Sequence, residues 1–444
     1  MHLVGVGGAG MSGYARAAHA LGAELSGSDS AGGPFLEALR ADGVLDATVG
    51  HSAANVPTGE TVELYYSSAV PAENPERRAA RERGIPERER AALLGELTAM
   101  RRTIAVAGTH GKTTTSAMLV HCLRAAGLQP GWLIGGSPGG GLANAEWSEG
   151  EWLVVEADES DRSMLSIAAE IAVLTNVELD HHATYGSLAE LRAAFRDFLR
   201  APAQAVIWDR PELLELREGP LVAYDVRDPD LADGGSRFRW REHAVELRVP
   251  GAHNALDAAG ALEAARLAGA DAAAAIGGLA AFSGAGRRFQ RVGATPRGAV
   301  VYDDYAHHPT EVAATLAGAR TLAHRRLVAV FQPHLYSRTA SLARELGAAL
   351  AGADEVAVLD VYAARERAEE HPGVSGLLVA ETAADAVAGR PVYWLASFAD
   401  AERVLASVLG EGDLAVLMGA GDIDALGRAL VRTSGEPEHE GQPA

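Results

Sequence analysis

The sequence predicts an α/β protein of three domains, each a doubly wound unit in which parallel strands alternate with helices. Two separate stretches each show a buried strand running into a glycine turn and then a helix: Leu3-Val4-Gly5-Val6 ahead of 11–21, and Thr103-Ile104-Ala105-Val106-Ala107 ahead of a helix through Cys122 to Ala126. A third run, from Val300, repeats apolar strands at 300–302, 327–331, 355–359 and 414–418 with helical stretches between them. At 444 residues the chain is long enough for each domain to bury its own core.

Gly5-Val6-Gly7-Gly8-Ala9-Gly10, the first turn, fits a dinucleotide fingerprint, whose glycines let the backbone approach a diphosphate at a helix N-terminus. Asp29 follows about 20 residues on, where an NAD site would hold a ribose hydroxyl. NAD and other diphosphates fit this turn alike.

The second turn, Gly108-Thr109-His110-Gly111-Lys112-Thr113-Thr114, sets two residues between its glycines where the common phosphate loop has four. Backbone N–H groups would cradle phosphate, Lys112 would reach the β- and γ-phosphates, and the Thr113 hydroxyl would sit on Mg²⁺. Lys112 is the only lysine in the chain; arginine carries the rest of the positive charge. Buried strands at 152–155 and 171–174 then end in polar residues, so Glu156 and Asn176 fall where ligands collect in a parallel sheet. Glu156-Ala157-Asp158-Glu159-Ser160-Asp161 and Glu178-Leu179-Asp180-His181-His182 supply hard oxygens and histidine beside that loop, a set suited to Mg²⁺. Beyond Ala201, short strands mix with acidic turns to Pro250; a helix is expected at 254–267, a hinge at Gly284-Ala285-Gly286, and a disordered tail at 433–444.

A formal charge of −20 argues against general binding to nucleic acid or to anionic membrane. No apolar run approaches the roughly 18 to 20 residues that cross a bilayer, and no signal peptide is visible, so a cytoplasmic protein is expected. The single cysteine, Cys122, leaves no internal disulfide and reads as core. A monomer and a homodimer are equally compatible with the sequence.

Together these elements resemble the Mur ligases, in particular their alanine-adding branch. The likeness runs through Gly5 to Gly13, Ser67-Ser68-Ala69-Val70, Asn74-Pro75-Glu76, Gly108 to Thr115, Glu156 to Asp161, Thr175-Asn176-Val177-Glu178 with Asp180-His181, Gly251-Ala252-His253-Asn254 and Arg287-Arg288-Phe289-Gln290. It continues through Asp303 to Glu311, Phe331-Gln332-Pro333-His334, Tyr336-Ser337-Arg338-Thr339, Asp360-Val361-Tyr362 and Gly419-Ala420-Gly421-Asp422. The resemblance implies a Rossmann-like UDP-sugar domain at 1–97, a central phosphate-loop ATPase domain with a parallel sheet at 98–286, and a Rossmann-like amino-acid domain at 287–432.

By that resemblance the first turn becomes a seat for UDP-N-acetylmuramate, with Gly7, Gly8, Gly10, Met11, Ser12, His51 and Ser67 around it. Gly108 to Thr114 would hold ATP, with His253 and Asn254 near the adenine. Thr113, Glu156 and His181 would ligand Mg²⁺, and Lys112, Glu156 and His181 would carry the chemistry. Arg287, Arg288 and Arg338 would meet substrate or phosphate, and His307, His308 and His334 would serve the last domain. The expected reaction forms an acyl phosphate on the sugar carboxylate, which L-alanine then attacks. The sequence departs from the family pattern at Asp257, where an asparagine is usual, at Gly286, in place of a basic residue, and at Leu335, in place of an arginine. A ligase that attaches an intact tripeptide to the same sugar is the near alternative. A dehydrogenase using NAD and a catalytically silent nucleotide binder are the distant ones.

Overall fold

The computed structural model describes residues 1–59, 61–181 and 184–432; the tail expected at 433–444 lies outside the described residues. By close packing the chain divides into two compact units. One comprises Met1–Asp228, Phe238–Val245 and Asn254–Ser283, and the other Pro229–Arg237, Glu246–His253 and the chain from Gly284.

The first unit holds two sheets. One is five-stranded and parallel, in the order Thr48–Val49, Ser26–Asp29, His2–Val4, Leu64–Tyr66, Glu87–Glu89. The chain leaves His2–Val4 to one side and later returns to the other, with Val4 opposite both Ser28 and Tyr66. That reversal of direction opens a crevice at the carboxyl end of His2–Val4, where the first glycine turn lies. The turn feeds helix Ala9–Ala20, close to the expected 11–21.

The other sheet runs Leu221–Tyr224, Gln204–Trp208, Ile171–Leu174, Arg102–Ala107, Trp152–Glu156, Gly131–Leu133, Ala145–Glu146, parallel except for its last pair. Arg102–Ala107 enters first and is flanked by two later strands, so a second reversal falls at its carboxyl end. Helix Lys112–Ala125 leaves from that point and is buried on nearly every face, Cys122 included. It packs against helix Ala272–Ala280 through Gly278, where a Cβ would lie 2.4 Å from the His121 carbonyl oxygen.

The second unit carries a six-stranded sheet ordered Gln290–Ala294, Val300–Asp304, Asp413–Met418, Arg326–Phe331, Glu355–Leu359, Val392–Leu395, with only the first pair antiparallel. The four strands expected from sequence are its four central ones. Each ends in a motif: Tyr305-Ala306-His307-His308, Gly419-Ala420-Gly421, Gln332-Pro333-His334 and Asp360-Val361-Tyr362.

Candidate active site

Gly108 and Gly111 are required by the backbone. Their φ angles are +141° and +79°, and a Cβ on Gly108 would meet Thr175 Oγ1 at 2.0 Å. The next strand end staples the loop. Thr175 Oγ1 donates to the His110 carbonyl at 2.6 Å, and Asn176 accepts from His110 N–H at 2.9 Å and donates back to the His110 carbonyl at 3.0 Å. Thr109 Oγ1 donates to the Glu178 carbonyl at 2.9 Å. Helix Lys112–Ala125 then starts from Gly111 with no side-chain cap, leaving its first N–H groups turned toward the crevice, as anion binding requires.

Lys112 Nζ donates to the carbonyls of Gly108 at 2.7 Å and Thr109 at 3.0 Å and pairs with buried Glu159 at 2.9 Å. Burial opposes its charge, but Glu159, then Asp158 and Glu156, outweigh that and hold the ammonium above its ordinary pKa. Glu159 also faces His181, whose Nε2 is 3.2 Å away and whose backbone sits at φ +55°. Thr113 Oγ1 lies 3.0 Å from both carboxylate oxygens of Glu156, and Gly135 N–H donates to Glu156 at 2.7 Å. The hydroxyl and carboxylate that converge here are the hard oxygen donors Mg²⁺ favours. Thr113 and Glu156 are therefore brought together directly, whereas His181 meets Lys112 through Glu159, a residue the sequence left within a general acidic run.

The first turn is built differently. Gly7 N–H donates to Asp29 Oδ2 at 2.8 Å, so the acid expected on a ribose turns inward onto the turn. Gly5 has φ +80°, and a Cβ there would lie 2.9 Å from Ser67 Cβ, which puts Ser67 directly under the turn. Met11 and Ser12 are buried, and Ser12 Oγ takes a bond from Asn144 at 3.1 Å. Gly8 and Gly10 remain at the turn's mouth.

His51 belongs to a polar cluster around Glu76, which is fully buried and takes bonds from His2 at 2.8 Å, Ser28 at 2.7 Å, Asn55 at 2.8 Å and Ser52 N–H at 3.1 Å, with His51 Nδ1 at 3.2 Å. Burial would raise the Glu76 pKa; these bonds overcome it and hold the carboxyl down to about 2.

A cavity of about 140 Å³ runs from the first turn to Glu156, the residue that meets Thr113 of the second. Its lining includes Gly10 and Tyr14 from the first sheet's helix, Gly135 and Glu156 from the second sheet, and Arg90 and Asp158. Arg90 was not singled out by sequence, since one arginine among many gives no local signal.

Asp257 faces the second turn: a Cβ on Gly111 would lie 2.6 Å from its carboxylate. Asn254 is buried near the start of the same helix.

In the second unit, burial pushes the His253 pKa down to about 4 against the pull of Glu311. Arg287 commits its donors to Asp303 at 3.0 Å and to the carbonyls of Gly421 at 3.0 Å and Gly419 at 2.9 Å, so it braces that glycine loop. Arg288 lies 5.2 Å from the centre of the Tyr305 ring. Arg338 NH1 is 3.1 Å from His334 Nδ1, and His334 stacks on Tyr362 at 5.7 Å. The His307 and His334 rings are 6.1 Å apart, and His308 caps helix Pro309–Ala319 with Glu311 completing the box. Leu335 adopts φ +68°.

Three segments match family descriptions: residues 1–102 the Mur ligase family catalytic domain, 106–265 the Mur ligase middle domain, and 287–421 the Mur ligase glutamate ligase domain. The chain is 41% identical to UDP-N-acetylmuramate–L-alanine ligase of Mycolicibacterium smegmatis, covering 100% of this chain and 96% of that one. It is 42% identical to the enzyme of the same name from Mycolicibacterium gilvum, over 97% and 95%. Among solved structures, UDP-N-acetylmuramate-alanine ligase from Thermotoga maritima superposes with a TM-score of 0.83 at 28% identity over 97% of each chain. A murein peptide ligase from Psychrobacter arcticus, at 24% identity and a TM-score of 0.70, shares the fold.

Proposed function

Since the chain belongs to the Mur ligase family, we propose that its two glycine turns serve one ligation. It is an ATP-dependent ligase that joins L-alanine to UDP-N-acetylmuramate in the synthesis of peptidoglycan precursors. One observation carries the reading at the level of geometry: Gly10 of the first turn and Glu156 beside the second line the same cavity, so acceptor and phosphoryl donor meet there.

In this reaction a sugar carboxylate oxygen attacks the γ-phosphorus of ATP, and ADP leaves. The alanine nitrogen then attacks the acyl carbon, the bond to phosphate breaks, and the amine gives up its proton as the amide forms. Both steps bring anions together, so the site must neutralise moving charge. The uncapped N–H groups of helix Lys112–Ala125 would hold the phosphates, and Lys112 would swing from Glu159 onto the transferring group. Thr113 and Glu156 would hold Mg²⁺, with His181 beside them; the ion would supply fixed positive charge at the phosphate oxygens.

We assign residues 1–97 to the UDP-sugar, 98–286 to ATP and 287–432 to the amino acid, with Arg288, Arg338, His307 and His334 at the strand ends of the last. His253 and Asn254 would meet the adenine. No helix among the described residues is long and apolar enough to cross a membrane, which accords with work on soluble nucleotide precursors in the cytoplasm.

Phosphate release from ATP should require both UDP-N-acetylmuramate and L-alanine. Omitting each in turn tests this, and release supported by a tripeptide but not by alanine would move the chain to the recycling ligases. Asp29 is engaged by Gly7 N–H, and NADH fluorescence should not change on adding the protein.

A further inference from the structure

Resting on that reading, we propose that Arg90 receives the acceptor: its outer N–H edge binds the lactyl carboxylate of the UDP-sugar and holds it for phosphorylation. Arg90 opens helix Arg90–Ala99, between the two sheets of the first unit. Its inner edge is fully engaged, with Nε donating to Asp161 at 2.6 Å and NH2 to Asp158 at 3.0 Å and to Ser163 Oγ at 3.4 Å. Those bonds fix the plane of the guanidinium and turn NH1 the other way, against Gly10, where a Cβ would lie only 2.7 Å from it. Arg90 is thus aimed into the cavity that runs from the first turn to Glu156, and among the described residues it is the one cationic side chain in that lining.

The charge pattern makes the assignment specific. Glu156 and Asp158 line the same cavity, so a carboxylate entering there meets two acids of like sign. Without a donor at the entry it would be repelled before reaching the phosphoryl group. An arginine already locked by two carboxylates offers N–H groups without losing rotamer freedom on binding, and it stays protonated whatever its neighbours do. Gly10 lets the guanidinium lie close against the first turn, since a Cβ there would press on NH1.

The reading also explains why the acidic run after Glu156 is so long. Asp158 and Asp161 set Arg90, while Glu159 sets Lys112. One run therefore orients both cations, one toward acceptor and one toward donor.

The test uses Arg90→Gln and Arg90→Lys in the full chain. Steady-state kinetics should show KM for UDP-N-acetylmuramate rising about 10- to 100-fold in Arg90→Gln and less in Arg90→Lys, with KM for ATP within about threefold of the parent. Calorimetry with UDP-N-acetylmuramate, UDP-N-acetylglucosamine and UDP separates the two anionic parts of the ligand, since only the first carries the lactyl carboxylate. Affinity should fall for the first alone. Equal weakening of all three would put Arg90 on the diphosphate and overturn the proposal, as would no change in any. Arg90→Lys keeps a cation on Asp158 and Asp161, and a melting temperature within a few degrees of the parent confirms that it folds. Asp161→Asn, which loosens the anchor and keeps NH1, should raise the same KM by a smaller factor. Failure of the parent protein itself to release phosphate with UDP-N-acetylmuramate and alanine would count against the activity, not against Arg90.

Discussion

The two glycine turns use one backbone device in opposite ways. Both follow a parallel strand at a point where the sheet reverses direction, and both open a helix. Around Gly5–Gly10 the side chains close inward: Asp29 takes the Gly7 N–H, Ser12 is buried against Asn144, and the support below is ionic, built on Glu76. Both helices start without a side-chain cap, but around Gly108–Lys112 the support is the neutral pair Thr175 and Asn176, and the charged groups Lys112, Glu159, Glu156 and Asp257 gather round the turn. A turn that only has to bind can be satisfied internally. The second turn carries a cation of its own, Lys112, held against Glu159 and the carbonyls of Gly108 and Thr109.

The largest expected effect breaks the comparison at its centre. Lys112→Ala should lower kcat by about a thousandfold or more, while UDP-N-acetylmuramate affinity stays within about threefold, because the cation acts only at the second turn. Calorimetry beside single-turnover phosphate release reads both; equal loss of both would mean the turns are not separate sites. Next, Gly108→Ala forces a Cβ into Thr175 at 2.0 Å with φ +141°, and should destabilise the protein by about 2–4 kcal/mol and abolish ATP binding. Gly8→Ala is the matching change in the first turn. There φ is −77° and the nearest atom to a new Cβ is 3.8 Å away, so the cost should stay under about 1 kcal/mol in chemical denaturation.

Thr113→Val removes the hydroxyl that meets Glu156 and should raise the Mg²⁺ concentration for half-maximal activity about tenfold, with UDP-sugar binding unchanged. The ionic support of the first turn should also show in acid. The folded-state pKa of Glu76, about 2, lies below its unfolded value near 4.5. Its contribution is therefore complete above about pH 4.5 and lost as pH falls toward 2, on the order of 3 kcal/mol. Glu76→Gln should flatten stability against pH across that window. Acid unfolding unaffected by the substitution would show that the cluster contributes nothing.

Much of this was legible from sequence where the signal is local. Arg102–Ala107, Trp152–Glu156 and Ile171–Leu174 are apolar runs, and the spacing of Gly108, Gly111, Lys112 and Thr113 puts its chemistry within one turn. Ser26–Asp29 and Glu87–Glu89 carry no strand signal of their own, because Ser-Gly-Ser-Asp and Glu-Arg-Glu have no apolar content; they become strands by pairing in parallel with His2–Val4 and Leu64–Tyr66. The contacts the sequence does not foretell are those between residues distant along the chain. Glu159 joins Lys112 to His181, Asp257 meets Gly111, and Arg90 reaches Asp158 and Asp161 only once the two sheets are assembled. Asp29 had the spacing of a ribose ligand, yet it lies within reach of its own turn's N–H, a closer partner than any cofactor.

The pairing of Lys112 with Glu159 has a practical consequence. With one ε-amino group in the chain, acylation read peptide by peptide separates that nitrogen from the α-amine of Met1. Held protonated against its carboxylate, that nitrogen is a poor nucleophile. The rate at which it is labelled, followed by mass spectrometry, therefore reports how often the ion pair opens, without a dye, a tag or any introduced residue.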